Sequence, residues 1–175
     1  MSNYILLRVD NDSSDIEPLC GEVDVSKYSC VVISDYDKGF LDIDFLVKLF
    51  KLCKDKNVVT FMDTKKKIGD WVRNCDYIKI NHKEFKDNVD VGTFNDMGGK
   101  FIITMGSEGC QYLGDTYPAK KVNVRDVVGA GDTFLSALVY GYLNNDIQKG
   151  IKIANILSSD VVSQRGVALP NKKLL

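Results

Sequence analysis

The chain has 175 residues, 45% of them hydrophobic and 27% charged, which fits one soluble domain with a core of its own. The net charge of −1 offers no field for nucleic acid or an anionic membrane, and no apolar run approaches the roughly 20 residues of a membrane span. The first residues lack the shape of a signal peptide, and the cysteines, 5 in number, contain no Cys-x-x-Cys pair. Reduced thiols in a cytoplasmic protein are the expectation, with neither a disulfide framework nor a zinc site.

In chain order, residues 4–9 read as a first strand, and 10–29 as polar chain with a turn and a short helix. A continuous apolar run at 30–34 predicts a buried strand. Residues 42–54 carry Phe45, Leu46, Leu49, Phe50 and Cys53 on one helical face. Strands are expected at 57–62 and 77–80, the second followed by a short helix, and at 100–105. Lys65, Lys66 and Lys67 between them read as a solvated loop. Segments 109–113 and 120–124 read as an antiparallel pair. Helices are predicted over 131–143 and 146–163, and the tail 165–175 as a loop closing over a site. Alternation of strands and helices predicts an α/β fold with a mainly parallel sheet. Asp35, Asp63, Asn81, Thr104 and Asp126 follow apolar runs, at the strand ends where such sheets bind ligands.

The most informative stretch is Asp126-Val127-Val128-Gly129-Ala130-Gly131-Asp132-Thr133-Phe134. Glycines at a helix start let an anion approach outward-pointing amides, and the helix dipole adds positive charge there. Asp132 beside that site is placed to accept a proton from an attacking hydroxyl. The bland reading is a glycine turn entering a helix with an acidic first turn. The stretch has neither the Gly-Lys-[Ser/Thr] of a P-loop nor the full glycine pattern of a dinucleotide fold. Asn81 and Glu84 read as a ligand-facing pair or as a helix capping box, and the two readings are compatible. Thr104 to Gly109 fits a tight turn as well as a ligand loop. His82 reads as a solvated helix position.

Asp126-x-x-Gly129-Ala130-Gly131-Asp132 resembles the C-terminal signature of the ribokinase-like (PfkB) carbohydrate kinases. Ser34-Asp35-Tyr36-Asp37-Lys38-Gly39 is similar to a stretch of that family's heptose-7-phosphate kinase branch. Met62-Asp63-Thr64-Lys65 looks like the branch's Asp-Pro-Lys, with Thr64 in place of proline. Asn81-His82-Lys83-Glu84 resembles the Asn-x-x-Glu motif, and Thr104-Met105-Gly106-Ser107-Glu108-Gly109 the nucleotide loop. Leu6-Leu7-Arg8-Val9-Asp10 resembles a segment just upstream.

The resemblance implies a ribokinase-like three-layer α/β/α fold, truncated at the N-terminus. Residues 1–175 would be one domain equivalent to the C-terminal, nucleotide-binding half. It implies Asp132 as catalytic base, with Gly129, Ala130 and Gly131 as the anion hole. Thr104, Gly106, Gly109 and Asn155 would flank ATP. Asn81 and Glu84 would organise Mg²⁺ through water, and Asp126 with Gly166 would border a monovalent-cation (K⁺) loop. Asp35, Lys38, Asp63 and Lys65 are the sugar- or phosphate-side candidates. The implied activity is ATP-dependent phosphoryl transfer to a sugar or sugar phosphate. With the family's N-terminal half absent, an exposed sheet edge is expected, completed by a homo-oligomer or a complementing N-terminal-half chain. The alternative is a nucleotide-binding remnant without turnover.

Overall fold

The computed structural model describes residues 16–174, so the strand expected over 4–9 and the Leu6 to Asp10 segment lie outside them. The strands are β1 (Cys30–Asp35), β2 (Val59–Thr64), β3 (Tyr77–Asn81), β4 (Phe101–Thr104), β5 (Cys110–Tyr112) and β6 (Asp115–Tyr117). The helices are α1 (Ile43–Asp55), α2 (His82–Asn88), α3 (Val91–Met97), α4 (Ala130–Asn144) and α5 (Ile147–Val162). Among the described residues the sheet has 6 strands in sequence order, parallel from β1 to β4 and antiparallel through β5 and β6.

Side chains alternate across each strand, and this sorts the core into two halves. Ile33, Met62, Ile78, Ile80, Phe101 and Ile103 pack with Leu46, Leu49 and Phe50 of α1. Their strand neighbours Phe61 and Ile102 face the other way, against Phe134, Leu138, Ile151 and Leu157 of α4 and α5. The result is helix, sheet, helix. Parallel register sets Ser34 beside Asp63 and Asp63 beside Lys79. In-register residues share a face, so this polar row points to the α4–α5 side. β1 is the outer parallel strand among the described residues, and Val32 on that side is 45% exposed.

Capping explains where the helices start. Asp42 accepts from the Phe45 amide at 2.6 Å and Asp146 from the Lys149 amide at 2.8 Å. α4 and α5 touch backbone to backbone. A Cβ on Gly141 would lie 2.5 Å from Gly150 Cα, and one on Gly150 would lie 2.7 Å from the Leu138 carbonyl oxygen.

Several expectations need correcting. β2 begins at Val59, because Lys56 and Asn57 still donate to the last carbonyls of α1. Residues 120–124 form no strand; the partner of β5 is β6. Leu113 and Gly114, both at positive φ, close that hairpin in two residues. Asp126 therefore follows a loop, not a strand. No helix forms between 16 and 29, whereas α3 was not anticipated. The tail folds onto α5, where the Asn171 amide donates to Asp160 Oδ2 at 2.9 Å. No tail residue lines the two cavities described below. All five cysteines are free, and among the described residues no helix is long and apolar enough to cross a membrane.

Candidate active site

The parallel strands present polar residues at one edge: Asp35 closes β1, Asp63 lies one residue before the end of β2, Asn81 closes β3 and Thr104 closes β4. The N-terminus of α4 faces them. Gly129 caps it at φ 77, a left-handed conformation that costs any residue with a Cβ. Asp132 follows in the first turn, exposed to solvent.

Two cavities meet at this helix start. A polar cleft of about 400 Å³ is bordered by Asp35, Asp63, Lys65, Asn81 and Asp132. A second cavity, of about 570 Å³, runs between α4, α5 and the loop after β6, with Val122, Phe134 and Val162 in its wall. Thr104, Gly106, Gly109 and Asn155 all line this second cavity. Lys79, Thr104, Gly106, Val127 and Gly131 border both, and so form the passage between them. Asn155 is buried and donates to the Tyr117 carbonyl at 2.8 Å, fastening the end of β6 to α5.

The sequence candidates divide by what they touch. Asp132 Oδ1 accepts a hydrogen bond from the Tyr36 phenol at 3.2 Å. Burial, then the Asp132 charge and hydrogen bond, push the Tyr36 phenol up from its ordinary pKa. Asn81 and Glu84 form a complete capping box, and Glu84 also pairs with Lys65. Burial works against the Glu84 carboxylate, but the Lys65 hydrogen bond, the Asn81 amide and the Lys65 charge outweigh it and hold its pKa down. Burial likewise works against the Lys65 ammonium, and the hydrogen bond to Glu84 with the charges of Asp63 and Glu84 leaves its pKa raised.

Asp35 is buried and accepts from Thr64 Oγ1 at 2.7 Å, with the Lys66 ammonium at 3.1 Å. Lys66 is thus 8% exposed and pinned by Asp35 and Asp37, which corrects the reading of a solvated loop at this one residue; Lys65 and Lys67 on either side are exposed. Lys38 is exposed and lines neither cavity. Asp126 accepts from the Val128 amide at 3.0 Å and the Gly166 amide at 3.1 Å, so the loops before α4 and after α5 meet there. His82 is exposed on α2.

One group escaped the sequence reading. Lys79 is buried inside β3 between Ile78 and Ile80, with its ammonium 2.6 Å from Asp63 Oδ2. The signal was a lysine within an apolar run, two residues before Asn81.

Among the described residues no cluster of three or more His, Cys, Asp or Glu side chains forms a ready metal cage. Both Glu84 oxygens and Asn81 Oδ1 already have partners. Such a donor set fits a hydrated Mg²⁺ carried by nucleotide phosphates, influenced from a distance by charge.

Comparison with known proteins agrees with this architecture. The sequence profile described as "pfkB family carbohydrate kinase" matches residues 8–174. The Bifunctional protein HldE of Campylobacter curvus is 27% identical over 194 aligned positions, covering 97% of this chain and 42% of that protein. Its counterpart in Campylobacter concisus is 30% identical over 156 positions, covering 79% of this chain and 33% of that protein. The chain thus spans roughly two-fifths or less of these relatives. Among solved structures, Arabidopsis thaliana ribokinase complexed with ribose and ATP superposes with a TM-score of 0.68 at 17% identity, covering 86% of this chain and 55% of that one. Phosphofructokinase-2 from Escherichia coli, in complex with potassium, gives 0.62 at 16% identity, covering 82% and 53%. These structures share the ribokinase-like fold. By the extent of the profile match, the chain belongs to the pfkB family of carbohydrate kinases.

Proposed function

We propose that this chain carries the nucleotide and catalytic half of an ATP-dependent kinase that phosphorylates a hydroxyl of a sugar or sugar phosphate, of the heptose-7-phosphate class. The supporting observation is the position of the α4 first turn, where the apolar cavity and the polar cleft meet. Adenine and ribose occupy the 570 Å³ cavity, flanked by Thr104, Gly106, Gly109 and Asn155. The γ-phosphoryl group reaches the amides of Gly129, Ala130 and Gly131, where the helix dipole and oriented N–H groups stabilise its charge. Asp132 takes the proton of the acceptor hydroxyl as its oxygen attacks phosphorus in line. Mg²⁺ bound with the nucleotide supplies charge neutralisation, with Asn81 and Glu84 acting on its water shell. Asp126, which accepts from the Val128 and Gly166 amides, joins the loops that would border a K⁺ ion. Asp35, Asp63 and Lys65 border the acceptor side, and Lys38, in the loop after β1, is kept as a candidate for the phosphate of the acceptor although it lines neither cavity.

In this reading the acceptor pocket is completed by a second copy or by a complementing chain, which would pack at the β1 edge, where Val32 is 45% exposed. The second reading is a nucleotide-binding remnant without turnover. Calorimetric titration with Mg-ATP and Mg-ADP tests the shared part of both readings, and absence of binding overturns both. An ADP-release screen against sugar phosphates separates them, run with the chain alone and with a complementing N-terminal-half chain. Turnover supports the kinase; nucleotide binding without turnover in either arm leaves the remnant.

A further inference from the structure

We propose that Lys79 is the cation that grips the transferring phosphoryl group, with Asp63 as the counter-ion that parks it in the absence of nucleotide. The proposal rests on the phosphoryl-transfer reading above. Lys79 is 5% exposed, in a strand whose neighbours Ile78 and Ile80 are fully buried. Burying an ammonium is costly unless it is paired, and β2–β3 register supplies the partner directly opposite.

That pairing is incomplete. Asp63 Oδ1 is buried and has no hydrogen-bond partner. An ammonium offers three donors, and the Asp63 contact uses one. A half-satisfied buried pair is a poor structural device, because each unmet group keeps its desolvation cost. It becomes intelligible if a further anion arrives.

The position of Lys79 says which anion. A Cβ built on Gly131 would lie 3.0 Å from its Nζ, so the ammonium stands against the first turn of α4. It is the only lysine, among the described residues, that borders both cavities. Lys65 is turned to Glu84, and Lys66 to Asp35 and Asp37. An anion at the α4 N-terminus therefore has helix amides on one side and Lys79 on the other.

In the transfer step the acceptor oxygen–phosphorus bond forms as the bond from phosphorus to the β–γ bridging oxygen breaks. That bridging oxygen keeps the electron pair and leaves as part of ADP, while the hydroxyl proton passes to Asp132. Lys79 exchanges no proton. It remains charged and balances the non-bridging phosphoryl oxygens through the step.

The test compares adenosine, Mg-ADP and Mg-ATP by calorimetric titration of the wild-type chain, Lys79→Met and Lys79→Arg. The expected result is a loss of ATP affinity of about tenfold or more in Lys79→Met. The loss for ADP should be smaller, adenosine affinity should stay within about twofold, and Lys79→Arg should recover part of the ATP affinity. Should Lys79→Met leave Asp63 buried and uncompensated and fail to fold, the Asp63→Asn/Lys79→Met double variant removes both charges and reads the same ratio. Equal loss for adenosine and ATP, or no loss for either, overturns the assignment. A wild-type chain that binds none of the three ligands overturns the phosphoryl-transfer reading itself.

Discussion

The phenol of Tyr36 donates to Asp132 Oδ1 at 3.2 Å, joining residues 96 apart in sequence. The contact ties the loop after β1 to the first turn of α4 and restricts how the carboxylate turns. Asp132→Asn keeps an acceptor for Tyr36 and nearly the same shape, but it removes the proton acceptor. Phosphoryl transfer in an assembly that turns over should fall by about 10²–10⁴-fold, with nucleotide affinity within about twofold of wild type. The same substitution removes the Asp132 charge that raises the Tyr36 phenol, so that phenol should titrate nearer its ordinary value. An absorbance titration, read as the difference from a Tyr36→Phe control, measures the shift. An active Asp132→Asn variant would remove the base assignment.

The Lys65–Glu84 pair should leave a signature in stability against pH. Glu84 titrates below its ordinary value, so its contribution is present above the unfolded carboxylate pKa of about 4.3 and is lost as pH falls through the lower folded value. Lys65 titrates above its ordinary value, so its contribution holds below about 10.4 and is lost as pH rises through the higher folded value. Glu84→Gln keeps the capping box but loses the charge. Because the Lys65 side chain is 40% exposed, the loss should be only about 0.5–1 kcal/mol near neutral pH. It should vanish at the acid end and shrink in high salt, as read from urea unfolding at a series of pH values.

Gly150→Ala tests the crossing of α4 and α5. Alanine gains about 1 kcal/mol of helix propensity. Its Cβ, however, would meet backbone: the Leu138 carbonyl oxygen at 2.7 Å and the Tyr142 nitrogen at 3.0 Å. Backbone atoms cannot rotate aside, so the net effect should be a loss of about 2–3 kcal/mol, or about 4–12 °C in Tm. A variant as stable as wild type by thermal unfolding would contradict the close crossing.

Local signals carried most of the fold. The period of Phe45, Leu46, Leu49, Phe50 and Cys53 matches α1, and the apolar runs before Asp35, Asn81 and Thr104 match β1, β3 and β4. The β5–β6 hairpin was misplaced because Leu113 adopts a positive φ that its side chain disfavours, so the turn carried only Gly114 as a signal. Asp132, Asn81 and Thr104 were legible as site candidates because each stands next to a glycine turn, a cap or a strand end. Lys79 was not, because its meaning lies in parallel register with Asp63, and register between separate strands is a tertiary property. Lys66 was misread for the same reason: its partners Asp35 and Asp37 belong to a different strand end.

The meeting of Gly141 and Gly150 has a mechanical consequence. Ala130, Gly131 and Phe134 of α4 form one wall of the larger cavity, and Asn155, Ser158 and Ser159 of α5 form another. The helices that carry those walls cross with main chain against main chain at Gly141 and Gly150, which holds them at a close spacing. The helix pair therefore behaves as a fixed jaw. The opposite side is walled by the loop after β6, which is tied to α5 only at its end, where the Arg125 and Asp126 amides donate to the Val162 carbonyl, so any change in the width of the cavity falls to the stretch from Ala119 to Val124.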